Sequence, residues 1–121
     1  MNMQDLNISF YLKANRIHLF IDMLRLLGCP KRICFLLSRD GRTLLVAPYT
    51  KSDFISHKVP RDVYRGFDSM EVCSIKLCRI IAGLHNWDLS RSYRVPGRFI
   101  EDQKVALFDL TRAQIIKHSI K

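Results

Sequence analysis

Apolar and polar residues change period several times along this 121-residue chain, and each change marks a predicted element. Ile8 to Lys13 (ISFYLK) is aromatic and β-branched enough for a strand. Ala14-Asn15 reads as a turn, and Arg16 to Phe20 alternates as a second short strand. From Ile21 the period lengthens: Ile21, Leu24 and Leu27 fall at helical spacing. Asp22 near the start suits the positive end of the helix dipole, Gly28 supplies a left-handed C-terminal position, and Pro30 prevents continuation. Lys31 to Ser38 and Arg42 to Pro48 then form the arms of a hairpin. Asp40-Gly41 between them is the pair that a two-residue type I′ turn requires. The arms are apolar on both faces, which implies a sheet covered on both sides or an interface between copies.

The polar segment from Thr50 to Asp68 reads as a connector, extended at Lys58-Val59 before Pro60, with a short strand or turn at Val63-Tyr64. Ser69 has the character of a helix N-cap with Glu71 in the first turn. Cys73, Leu77, Ile80, Ile81 and Leu84 follow on one helical face, predicting an amphipathic helix to about Asn86. Ser92 to Ile100 has strand character interrupted by Pro96-Gly97, which suggests an edge strand or a bulge. Glu101-Asp102-Gln103 turns the chain, Lys104 to Leu110 returns, and Arg112 to His118 is read as a short C-terminal helix.

The expected fold is α+β in a single domain over 1–121. A first helix–hairpin half spans 8–49, a connector 50–68, and a second half, with a longer helix and a second β-hairpin, 69–121. Element order repeats between the halves, and Leu24-Arg25-Leu26-Leu27-Gly28 echoes Cys78-Arg79-Ile80-Ile81-Ala82-Gly83. The echo reflects either a duplication, giving a pseudo-twofold domain whose partner hairpin comes from the same chain, or the commonness of a helix–hairpin unit.

The first half resembles the swapped-hairpin DNA-binding domain of the SpoVT/AbrB-like transition-state regulators. The matching parts are Arg16-Ile17-His18-Leu19, the helix Ile21 to Gly28, and the hairpin Lys31 to Pro48. Asn15 stands where that family typically has glycine, Phe20 where it has a helix-opening proline, and Leu24 where a second arginine is frequent. The resemblance implies a homodimer with interleaved hairpins, and Arg16 and Arg25 placed against DNA.

Charge adds a partner class. Twenty Lys and Arg against eleven Asp and Glu give a net charge of +9, which favours polyanions. The candidate nucleic-acid contacts are Arg16, Arg25, Lys31, Arg32, Arg39 and Arg42, acting through phosphates and requiring convergence on one face. The expected function is that of a DNA-binding transcriptional regulator. The alternative is a non-enzymatic interaction or accessory module that uses its apolar hairpins on a protein partner.

Candidate chemistry is sparse. Cys29 with Cys34 and Cys73 with Cys78 have four intervening residues and no companion pair at zinc spacing, so reduced thiols are expected and no metal. The four histidines lack HxxxH or HExxH spacing. There is no Walker loop, Gly-x-Gly-x-x-Gly or Gly-x-Ser-x-Gly. No catalytic residue and no cofactor are therefore assigned. No apolar run is long enough for a membrane span and no signal layout opens the chain, so the expected location is cytoplasmic.

Overall fold

The computed structural model describes residues 6–53 and 55–117. Among these residues, nine strands and two α-helices form an α+β fold dominated by one antiparallel sheet that curls into a nearly closed barrel. The elements are β1 (Leu6–Tyr11), β2 (Arg16–Phe20), α1 (Ile21–Leu26), β3 (Arg32–Leu37), β4 (Thr43–Pro48), β5 (Ser56–Lys58), β6 (Ser69–Cys73), α2 (Ile75–His85), β7 (Ser92–Ile100), β8 (Val105–Asp109) and β9 (Gln114–Ile115). Short 3-10 turns occupy Arg61–Arg65 and Leu110–Arg112.

Strand order is β5-β3-β4-β8-β7-β1-β2-β6, with β9 added to β7. The order is symmetric. Three antiparallel pairs, β4 with β8, β1 with β7 and β2 with β6, join the halves. β3 lies outside β4 as β7 lies outside β8. On the far side of β3 stands β5, and on the far side of β7 stands β1. The first strand of the chain thus does for the second half what β5 does for the first. The two hairpins meet edge to edge within one chain, so β3–β4 is flanked on both sides by strands of its own sequence.

The inner face carries the core. Ile8, Phe10, Ile17, Leu19, Leu44, Val46, Val95 and Phe108 are fully buried, joined by Met23 and Leu24 from α1 and Ile81 from α2. After α2, Trp87 stacks on Tyr93 with ring centroids 4.5 Å apart and lies 5.5 Å from Phe10. The helix end is tied to the β3–β4 tip by His85, whose Nε2 donates to the Gly41 carbonyl at 2.7 Å.

Several expectations are corrected. Ser69 does not cap a helix: Ser69–Cys73 is a strand, with Met70 and Val72 buried and Ser69, Glu71 and Cys73 turned outward at period two. The true cap is Ser74, whose Oγ accepts from the Leu77 N–H at 3.2 Å. That start rotates the buried face of α2 onto Cys78, Ile81 and Ala82, leaving Ile80 and Leu84 exposed at 43% and 55%.

β7 is central rather than an edge. Pro96 is accommodated because residues 95 and 96 fall between the stretch paired with β8 and the stretch paired with β9, so no ladder donor is needed on that side. Gly97 lies where β1, β7 and β8 meet, paired to Leu6 on one side and Phe108 on the other. A Cβ there would overlap the Phe108 ring and the Leu107 carbonyl.

The β3–β4 tip is a five-residue loop, Ser38 to Arg42, and not a two-residue turn. Gly41 alone takes positive φ (+74°), while the Asp40 carboxylate accepts from the Ser38 hydroxyl and the Arg42 N–H. Those bonds hold the Asp40 carboxyl below its usual range, first through Ser38. Val63-Tyr64 lies in the 3-10 turn 61–65. In place of a C-terminal helix, Asp109 caps the turn Leu110–Arg112 and β9 follows. The end of the expected helix, His118, lies outside the described residues. Asn15, where the resembling family has glycine, adopts φ +54°, a conformation asparagine tolerates better than most residues.

Candidate nucleic-acid interface

Alternation along the strands decides what the outer face of β6-β2-β1-β7 presents. β2 sends Arg16, His18 and Phe20 outward and buries Ile17 and Leu19. β1 contributes Asn7 and Tyr11, with the outward-directed Ser9 fully buried between them, β6 Ser69, Glu71 and Cys73, and β7 Ser92, Arg94, Pro96 and Arg98. Register sets the rows. Tyr11 stands opposite Arg16, and Ser9 stands between His18 on β2 and Arg94 on β7.

Three rings form a run across two strands. Tyr11 and His18 meet edge to face at 5.9 Å, and His18 and Phe20 lie 4.9 Å apart. All three are half-buried, so each ring is held by its neighbours and still offers surface. Cations surround the run: Arg16 is exposed beside Tyr11, and Arg94 and Arg98 are exposed on β7. Two clefts open on either side of Asn7, one of about 460 Å³ reaching Phe20 and Arg94, the other of about 540 Å³ reaching Arg98 and Arg112.

Glu71 tempers this charge. Arg16 Nη1 donates to its Oε1 at 2.8 Å, and His18 Nδ1 lies 3.7 Å from its Oε2. At this degree of exposure such a pair is worth about 0–1 kcal/mol, so Arg16 is oriented rather than consumed.

Ser9, His18 and Glu71 occupy one row on three adjacent strands, the residue types of a nucleophile–base–acid set. Ser9 Oγ is fully buried and makes no hydrogen bond to His18. An activated nucleophile needs that bond and access to substrate. This row provides neither: Ser9 is covered, while His18 belongs to the ring run and Glu71 is exposed beside Arg16.

The six sequence-derived cations divide by place. Arg16 belongs to the aromatic face. Lys31 and Arg32 lie at the start of β3 and line a separate cleft with Lys58. Arg25 is exposed in the last turn of α1, just before that cleft. Arg39 and Arg42 are exposed at the β3–β4 tip, the opposite end of the hairpin from Arg32. No single face gathers all six. Sequence reading missed Tyr11, His18 and Phe20 as a unit, and Arg94 as their neighbour; the period-two alternation of Arg16, His18 and Phe20 is the signal that was available.

No thiol pair is bonded, and no cluster of three or more metal-ligating side chains occurs among the described residues. No described helix is long and apolar enough to cross a membrane. No family model, curated protein or solved structure matches the chain.

Proposed function

We propose that the chain binds single-stranded nucleic acid on the outer face of β6-β2-β1-β7. The carrying observation is the run Tyr11–His18–Phe20 interleaved with Arg16 and Arg94 on one open sheet surface. Partly exposed rings on a sheet are suited to stack unpaired bases, and flanking arginines to hold phosphates. The net charge of +9 supplies the long-range attraction. A duplex hides its base faces, so the expectation of DNA binding narrows here to single strands of DNA or RNA.

Fluorescence anisotropy with labelled oligo(dT), oligo(rU) and a duplex of equal length tests this across salt. Single strands should bind more tightly than the duplex. Tyr11→Ala with Phe20→Ala should weaken binding at least tenfold and leave the salt slope unchanged, since stacking contributes about 1–3 kcal/mol per base. Arg16→Ala should flatten the slope by about 0.7 per lost phosphate contact. Glu71→Gln should tighten binding by freeing Arg16. Equal binding of duplex and single strand, with the ring variants unaffected, refutes the reading.

Two other readings use different parts of the same molecule. The regulator reading shares Arg16, and as a swapped homodimer it would exchange the β3–β4 hairpin between copies in place of the β5 and β8 contacts seen within one chain. The interaction-module reading draws on Ile80 and Leu84, apolar and exposed on α2, and on Leu36, exposed on β3. Sedimentation at rising concentration checks both.

A further inference from the structure

A second site, independent of the aromatic face, lies where α1 ends and β3 begins. There a cleft of about 540 Å³ is lined by Lys31, Arg32, Lys58 and Tyr49, with Pro30 and Pro48 as apolar walls and no carboxylate in its lining. We propose that this cleft binds the phosphate group of a phosphate monoester, with Arg32 and Lys58 as its principal ligands.

The pairing register carries the argument first. Arg32 and Lys58 are direct partners across β3 and β5. Like charges directly opposite on a sheet repel and destabilise it. Neither makes an ion pair among the described residues. A bound anion turns that repulsion into shared attraction.

The second part of the argument is how firmly the cations are placed. Arg32 Nε donates to Ser56 Oγ at 2.7 Å, and the buried Ser56 hydroxyl donates in turn to the Asp53 carbonyl at 3.0 Å. That relay fixes the guanidinium plane, while its Nη1 and Nη2 hydrogens meet no protein acceptor among the described residues. They form the fork that suits phosphate oxygens. The backbone holds the other members: the Val59 N–H donates to the Lys31 carbonyl at 2.8 Å, and the Tyr49 N–H to the Arg32 carbonyl at 2.9 Å. The Tyr49 hydroxyl donates to Asp53 Oδ2 at 3.0 Å, steadying its ring as a wall for the organic part of the ester. The positive field is also felt by His57, whose pKa is lowered by burial and then by Arg32.

A monoester near neutral pH carries close to two negative charges against one for a backbone diester. Three cations lining one cleft therefore favour a terminal phosphate over an internal one. The test uses the full chain and two probes at fixed ionic strength: inorganic phosphate followed by calorimetry and thermal unfolding, and one oligonucleotide with a 5′-phosphate or a 5′-hydroxyl followed by anisotropy. Saturable one-to-one phosphate binding with a rise in Tm is expected. Lys58→Gln and Arg32→Gln should each weaken it at least tenfold, and Lys58→Gln should leave Tm unchanged or raised in phosphate-free buffer, because a repulsion is removed.

A tighter grip on the 5′-phosphorylated strand that vanishes in Arg32→Gln assigns the monoester to a strand end; phosphate saturation without that difference assigns it to a small phosphate ester. The Tyr11 and Phe20 variants should change neither result, so failure on the sheet face and failure here are distinguishable. Absence of saturable phosphate binding, or binding retained in both cleft variants, overturns the proposal.

Discussion

Gly97→Ala isolates the packing at the centre of the sheet. The added methyl would overlap the Phe108 ring and the Leu107 carbonyl, with ring carbon Cε1 only 2.7 Å from its position. Phe108 is fully buried and cannot swing away, and the Leu107 carbonyl is backbone, so relief requires β7 and β8 to separate. Overpacking a filled core costs about 1–3 kcal/mol, and a backbone clash puts this site at the upper end, near 3 kcal/mol. With an unfolding entropy of about 2.1 cal/mol/K per residue, a domain of this size loses roughly 12 °C in Tm.

Gly83, on the exposed side of α2, is the internal control, because nothing lies within 4 Å of its added Cβ. Gly83→Ala removes a flexible residue from a helix and should gain about 0.5–1 kcal/mol, or 2–4 °C. Differential scanning calorimetry on both variants reads the contrast directly. In the Gly97→Ala background, Phe108→Val should cost less than it does in the parent, because it relieves the ring overlap while opening a cavity, and the carbonyl clash remains. A Gly97→Ala protein melting within 2 °C of the parent would refute the central placement of β7.

Three further outcomes are expected. Ser74→Ala should lower stability by about 1 kcal/mol by chemical denaturation, while Ser69→Ala should be near neutral, because only Ser74 caps α2. The His57 pKa is depressed in the folded state, so the unfolded chain binds the extra proton first; stability should fall as pH drops through the ordinary histidine value of 6.5, and His57→Asn should flatten that dependence in thermal scans between pH 7.5 and 5. Of the four cysteines, Cys29 and Cys73 are exposed and should react quickly with a thiol reagent. Cys34 and Cys78 should react slowly, with the Cys78 thiol pushed up to about 11 mainly by burial.

What sequence periodicity conveyed was local. Ile21, Leu24 and Leu27 before Gly28 mark α1 because a helix this short is set by neighbours within one or two turns. The apolar arms Arg32–Leu37 and Thr43–Pro48 announce strands in the same way. β6 escaped because Ser69 mimics a cap, whereas the alternating Met70 and Val72 acquire meaning only against Leu19 and Ile17 of β2.

Both proposed sites depend on partners distant in the chain. Arg94 becomes a neighbour of Ser9 and His18 only through the β1–β7 register, and Lys58 meets Arg32 only through the three-residue β5. A basic composition raised the expectation of polyanion partners. It could not say that Arg39 and Arg42 stand at the far end of the hairpin from Arg32, because that is set by pairing and not by residue type.

The place of β1 also has a consequence for how the chain is made. Its one edge is taken by β2 after a short turn, but its other edge belongs to residues 92–97 of β7. On a ribosome emitting the chain from its start, the first strand exists long before that partner. Its β7-facing edge must wait, together with the buried Ile8 and Phe10 that Val95 and Tyr93 will cover. Pairings of such long sequence separation slow folding and leave nascent strands open to wrong partners. A ribosome arrested before residue 92 should therefore hold a sticky, protease-sensitive chain, and protection should arrive abruptly once β7 and β8 clear the exit tunnel.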